Sequence, residues 1–213
     1  MKNNITELVC ILDRSGSMAG LESDTVGGFN ALIEKQRRED GLCYVSTILF
    51  NNESTVLHDR VPLEQVRAMA PGDYVPGGCT ALLDAIGGAI RHIGNIHKYA
   101  RPEDVPEHTV FVITTDGMEN ASRRYGYGEV KTMLERQKEE HGWEFLFLAA
   151  NIDAAETAAS IGISRDRAAN YRSDGAGTEL MYSVAAEAVS AMRCGAAMRK
   201  GWADKLNRDA RRR

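Results

Sequence analysis

A carboxylate and two hydroxyls stand on alternate residues of one short segment, Asp13-Arg14-Ser15-Gly16-Ser17, so Asp13, Ser15 and Ser17 offer three hard oxygen donors together. Donors of this kind suit a small divalent cation. Magnesium asks for octahedral oxygen ligation at about 2.1 Å and keeps several waters, so a shallow site with few protein ligands is sufficient. Gly16 is expected to let the backbone turn tightly enough to aim both hydroxyls inward. Alone, the pattern is weak, because Asp and Ser gather in any turn where they can hydrogen-bond locally. Two distant stretches strengthen it. Thr80, closing Pro76-Gly-Gly-Cys-Thr80, supplies a third hydroxyl, and Asp116, in Thr114-Thr-Asp-Gly117, supplies a second carboxylate.

Other chemistries find less support. Five histidines, His58, His92, His97, His108 and His141, carry no HExxH or paired Cys/His spacing and are expected at surfaces or interfaces. Ser15 and Ser17 lack a GxSxG elbow. The second acid of a DxD phosphoryl-transfer motif is missing, since Ser15 stands there. Neither GxGxxG nor GxxxxGK[ST] occurs, so nucleotide binding has no motif behind it. A magnesium-dependent phosphoryl-transfer or hydrolytic enzyme on the same cation remains the alternative to a binding module. It would need a general base or nucleophile within reach of a substrate.

The elements that must position these residues are legible as short apolar runs. Glu7 to Asp13 reads as a strand buried on both faces and ending in an acid, and Thr109 to Thr115 and Glu144 to Ala150 read the same way. Cys43 to Phe50 is rich in β-branched and aromatic residues, and Asn51-Asn52 joins it to Ser54–Leu57 as a hairpin. Helical period appears in between: Val26, Phe29, Leu32 and Ile33; then Leu82, Leu83, Ile86, Ile90 and Ile93; then Met133 and Leu134; finally Leu180, Met181, Val184 and Ala188. Gly87-Gly88, inside the second of these, is expected to allow close approach to the sheet. Alternation of strand and helix predicts an α/β fold, a doubly wound, mostly parallel sheet flanked by helices with one antiparallel edge strand. Ligands collect at the carboxyl ends of the strands in such sheets, where Asp13 and Asp116 both fall.

The chain has 213 residues, 43% of them hydrophobic and 26% charged, an ordinary balance for one globular domain. No apolar run reaches the roughly 18 to 20 residues of a membrane span, and the start MKNNITELVCILD has no basic segment followed by a long apolar stretch. Four scattered cysteines, Cys10, Cys43, Cys79 and Cys194, form no CxxC pair, and a reducing cytoplasm is the expected setting. A formal charge of −4 hides an asymmetry. Arg199, Lys200, Lys205, Arg208, Arg211, Arg212 and Arg213, against Asp204 and Asp209, put +5 on the last fifteen residues and leave −9 elsewhere. Residues 1–196 are expected to form the domain and 197–213 a solvated basic tail. Nucleic acid is not an expected partner, because no aromatic interleaving or nucleic-acid motif accompanies the charge.

The motif set resembles the von Willebrand factor type A domain, whose metal-ion-dependent adhesion site is written DxSxS, a distant Thr, and Asp-Gly. Asp13, Ser15, Ser17, Thr80 and Asp116 fill all five positions in order, and the resemblance spans about residues 5 to 194. It implies a Rossmann-like, six-stranded sheet of order 3-2-1-4-5-6 and a cation at its top, Mg²⁺ with Mn²⁺ or Ca²⁺ as the alternatives. There the serines, and in a ligand-bound state the threonine, touch the metal while the acids act largely through water. The implied function is protein interaction through an Asp or Glu donated by a partner. Prokaryotic intracellular relatives often work beside an AAA-type ATPase or in stress clusters, which makes such proteins the expected partners. Arg14, Met18, Met118, Glu119, Arg123 and Arg124, adjacent to the motif in sequence, are the candidates for a rim that selects the partner.

Overall fold

The computed structural model describes residues 4–196 and 198–211. Strand β1, Ile5–Asp13, is buried along its whole length, as its unbroken apolar run requires. It is flanked by two parallel neighbours, β2 (Leu42–Phe50) and β4 (His108–Thr115). Beyond β4 lie β5 (Glu144–Ala149) and the short β6 (Ala168–Asn170), both parallel. On the other side β3 (Ser54–Pro62) returns antiparallel to β2, giving six strands in the order β3-β2-β1-β4-β5-β6.

Side chains alternate across β1 and divide the core in two. Leu8, Cys10 and Leu12 face α1 (Glu22–Gln36) and α5 (Gly175–Arg193), where Phe29, Leu32 and Met181 join them. Val9 and Ile11 face the opposite layer, built on Ile86 and Ile90 of α2 (Leu82–Tyr99) and on Val130 and Leu134 of α3 (Tyr127–His141). The short α4 (Ala154–Ser160) completes that layer and is started by Asp153, whose carboxylate accepts from Glu156 N at 2.9 Å. The thiols of Cys10 in β1 and Cys43 in β2 are both pushed up to about 12 by burial. All four cysteines are free. Among the described residues no helix is long and apolar enough to cross a membrane.

Three expectations need correction. The segment after residue 196, read as a solvated tail, carries α6 (Asp204–Ala210) and folds back on the sheet edge. Ala203 and Leu206 are buried, Asn207 Oδ1 accepts from Asn170 N of β6 at 3.0 Å, and Trp202 Nε1 donates to Asp166 O at 2.7 Å. A seven-residue helix cannot stand alone in water, so its formation rests on this packing rather than on its own period. Residues 197, 212 and 213 of the tail lie outside the described residues. Secondly, His58 is buried, with Nδ1 3.0 Å from Thr47 Oγ1 and its ring stacked on Phe29. Burial holds its pKa below the usual histidine value. Thirdly, Gly87 is kept for an approach to the Tyr125 ring, not to the sheet: a Cβ there would lie 2.6 Å from it.

Candidate metal centre

The carboxyl ends of β1 and β4 bring Asp13 and Thr115 side by side, and the loops that leave them supply the rest. Ser15 N donates to Asp13 Oδ1 at 2.7 Å, a turn that a carboxylate can make two residues before the amide it binds. Thr115 Oγ1 donates to Asp13 Oδ2 at 2.6 Å. Ser17 Oγ donates to Asp116 Oδ1 and lies 3.2 Å from Ser15 Oγ. Ser173 Oγ, from the loop before α5, donates to Asp116 Oδ2 at 3.4 Å.

Thr80 arrives on a third loop and is held by its backbone. Its N–H donates to Asn120 Oδ1 at 2.9 Å, and its carbonyl accepts from Asn120 N and Ala121 N. A Cβ placed on Gly117 would lie 3.5 Å from Thr80 Oγ1 and 3.7 Å from Ser17 Oγ. Both hydroxyls therefore lie beside the glycine that follows Asp116. All five sequence-derived residues thus meet at one edge of the sheet. Gly16 has a different reason from the one expected. Its φ is not in the left-handed region, and its N–H donates to Gly78 O at 3.0 Å, so the two loops touch where a side chain would intrude.

Burial is uneven across the cluster. Asp13, Ser15, Thr80 and Asp116 are buried, whereas Ser17 and Gly16 are exposed and open the site to solvent. Desolvation raises the Asp13 pKa above the usual carboxylate value; hydrogen bonds from Thr115 and Ser15 oppose it, and the neighbouring Asp116 raises it further. Arg14 is turned to the hairpin, where its guanidinium donates to Thr55 Oγ1 at 2.8 Å. Among the described residues no Lys, Arg or His forms an ion pair with Asp13 or Asp116. Two buried carboxylates ringed by neutral hydroxyls make an uncompensated charge of −2 when both are ionised. The donor set fits a hard dication.

Of the rim candidates, Met118, Arg123 and Arg124 are exposed. Met18 is instead buried in the α1–α5 core, because the turn after Ser17 points it inward. Glu119 is also not a free rim acid. Its carboxylate accepts from Leu83 N at the start of α2 and from Ala121 N, Ser122 N and Ser122 Oγ, all at 2.8 to 3.0 Å. Sequence reasoning missed Thr115, Ser173, Asn120 and Tyr74, whose hydroxyl donates to Asp13 O. Adjacency to Asp116 could have drawn attention to Thr115; the others carry no local signal.

No protein-family model and no curated protein matches the sequence. Solved structures do match. Proximal thread matrix protein 1 from the mussel byssus superposes with a TM-score of 0.60 at 14% identity, covering 87% of this chain and 46% of that one. A form of it with a zinc-occupied MIDAS motif gives 0.55 at 12%, covering 85% and 46%. Manganese-loaded TRAP protein of Plasmodium vivax gives 0.56 at 15%, covering 85% and 73%. The von Willebrand factor type A structure from Catenulispora acidiphila gives 0.56 at 12%, covering 89% and 43%.

This chain has the von Willebrand factor type A fold. It spans less than half the length of the mussel and Catenulispora chains. In that fold the five oxygen-bearing residues sit where β1 and β4 end and the winding of the sheet reverses, the crevice in which open α/β sheets place ligands.

Proposed function

We propose that the chain is a member of the von Willebrand factor type A family with a complete metal-ion-dependent adhesion site. Asp13, Ser15, Ser17, Thr80 and Asp116 hold one divalent cation, Mg²⁺ or in its place Mn²⁺ or Ca²⁺, and the bound metal takes an Asp or Glu side chain from a protein partner. The observation that carries this reading is the pair of buried, hydroxyl-ringed carboxylates with no cationic partner among the described residues. The manganese carried by the Plasmodium protein and the zinc carried by the mussel protein lend support from the same fold. A dication whose inner shell is mainly neutral hydroxyl and water stays electrophilic and attracts an outside carboxylate. Arg123 and Arg124, exposed near the site, favour such a ligand by their field.

Binding rather than catalysis is proposed because, apart from Asp13 and Asp116 themselves, the hydrogen-bond partners of the five residues are hydroxyls, amides and carbonyls. Among the described residues none of these partners is a His or Lys that could serve as base. Four free cysteines accord with a cytoplasmic setting. An AAA-type ATPase or a stress-cluster protein is the proposed partner class. Capture of such a partner with Mg²⁺, with EDTA and by Asp13→Ala tests the reading: loss in the last two supports it, and equal capture in all three defeats it.

A further inference from the structure

A groove of about 500 Å³ runs between α2 and the β2–β3 hairpin. Its apolar lining includes Ile48, Val56, Ala81, Ala85 and Ala89, and Val56 is 55% exposed. Gly88 lies in the same lining, and a Cβ built on it meets nothing within 4 Å. Glycine inside a helix costs about 1 kcal/mol relative to alanine. For Gly87 the Tyr125 ring accounts for that cost, but among the described residues no neighbour accounts for it at Gly88. Gly88 therefore leaves the α2 backbone open to approach from the groove.

The groove begins beside the metal edge. Ala81 follows Thr80 directly, and Asn52, also in the lining, holds Cys79 N through Oδ1 at 2.8 Å. Arg124 stands at its lip with its guanidinium over the Tyr125 ring and, among the described residues, no acidic partner. Most lining acids are already engaged. Asp84 accepts from the N–H groups of Arg123, Arg124 and Tyr125, and Asp59 lies 2.7 Å from His92. Glu53, at the hairpin tip, disfavours a second acid there.

We propose that this groove receives an apolar side chain from the same partner segment whose acid reaches the metal edge. This rests on the metal-dependent reading above and makes the recognised chemistry a short peptide with one acid and an apolar residue at a set spacing from it. Gly88 lets that side chain approach the α2 backbone. Arg124 draws the acid toward the metal end.

Phage-displayed peptides, random except for one fixed Glu, would be selected on the purified chain in Mg²⁺ and eluted with EDTA. Wild type, Gly88→Leu and Asp13→Ala would be compared, with Mg²⁺-induced thermal stabilisation measured for each. A Cβ at Gly88 meets nothing within 4 Å and the substitution removes a helical glycine, so Gly88→Leu is expected to fold, and its thermal unfolding transition checks that it does. The expected result is an apolar preference at fixed spacing from the Glu in the wild-type pool. Gly88→Leu should weaken those peptides at least tenfold while its response to Mg²⁺ is unchanged, and Asp13→Ala should lose both. Three results overturn the groove and leave the metal edge standing: eluted peptides without an apolar preference, equal binding to Gly88→Leu, or no eluted peptide from a chain that responds to Mg²⁺. Absence of both a Mg²⁺ response and EDTA-eluted peptides in wild type overturns the groove and the metal reading together.

Discussion

Strand β1 buries an acid near each end, and the two ends treat it differently. Glu7 accepts from Arg60 Nε at 2.7 Å and has His97 Nε2 at 3.5 Å, so its charge is answered by the chain itself. Asp13, on the same strand, receives only neutral donors and faces a second carboxylate. Both side chains are out of water, and a buried charge without a partner is costly. On the metal-dependent reading proposed above, the difference separates an acid that holds the fold from an acid left for something that arrives from solution.

The largest expected effect comes from breaking the self-sufficient end. Arg60→Met leaves Glu7 buried without its main cation and should cost about 3 kcal/mol, the low end for a broken buried pair, because the Arg60 side chain is 23% exposed. Equilibrium urea unfolding measures it; a cost near zero would mean that His97 alone compensates Glu7. Next comes the other end. Mg²⁺ at 100 times its dissociation constant should stabilise the wild type by about 2.7 kcal/mol and leave Asp116→Ala unmoved. A smaller coupling tests whether Glu7 and Arg60 act as a unit: in a double-mutant cycle with Glu7→Gln, the interaction energy should fall within about 0.5–3 kcal/mol.

The smallest effect is a pH slope at His58, a buried group whose charge neither end of β1 answers. Its folded pKa lies below the ordinary histidine value, so at acid pH the unfolded chain binds a proton that the native state refuses. Stability should therefore fall as pH drops from about 6.5 toward the folded value. His58→Gln should flatten this part of the curve in thermal unfolding followed across pH; an unaltered slope would assign it to other groups.

What could be read in advance depended on how local the cause is. The apolar run of β1 is local and forms the strand, which starts at Ile5, two residues before the run as read; the Asp13, Ser15, Ser17 spacing is local too and brings the two serine hydroxyls to 3.2 Å. The meeting of Thr80 with Asp116 required the family resemblance, since nothing in their own segments points one at the other. β6 has three residues and α6 seven, both too short for a period to emerge, and tertiary contacts form them. Met18 and Glu119 were misplaced for one reason: adjacency to a motif in sequence says nothing about which way the turn sends a side chain. Glu119 shows the consequence, since its carboxylate closes the start of α2 and so helps hold Thr80 in place from behind.

Calorimetric titration of the metal-free chain with Mg²⁺ and Mn²⁺ tests the central claim most directly. One cation per chain in the wild type, with uptake abolished by Asp13→Ala and by Asp116→Ala but retained by Arg60→Met where that variant stays folded, is the predicted result. A wild-type chain that takes up neither cation, or that binds one equally well without Asp13 and Asp116, would contradict it.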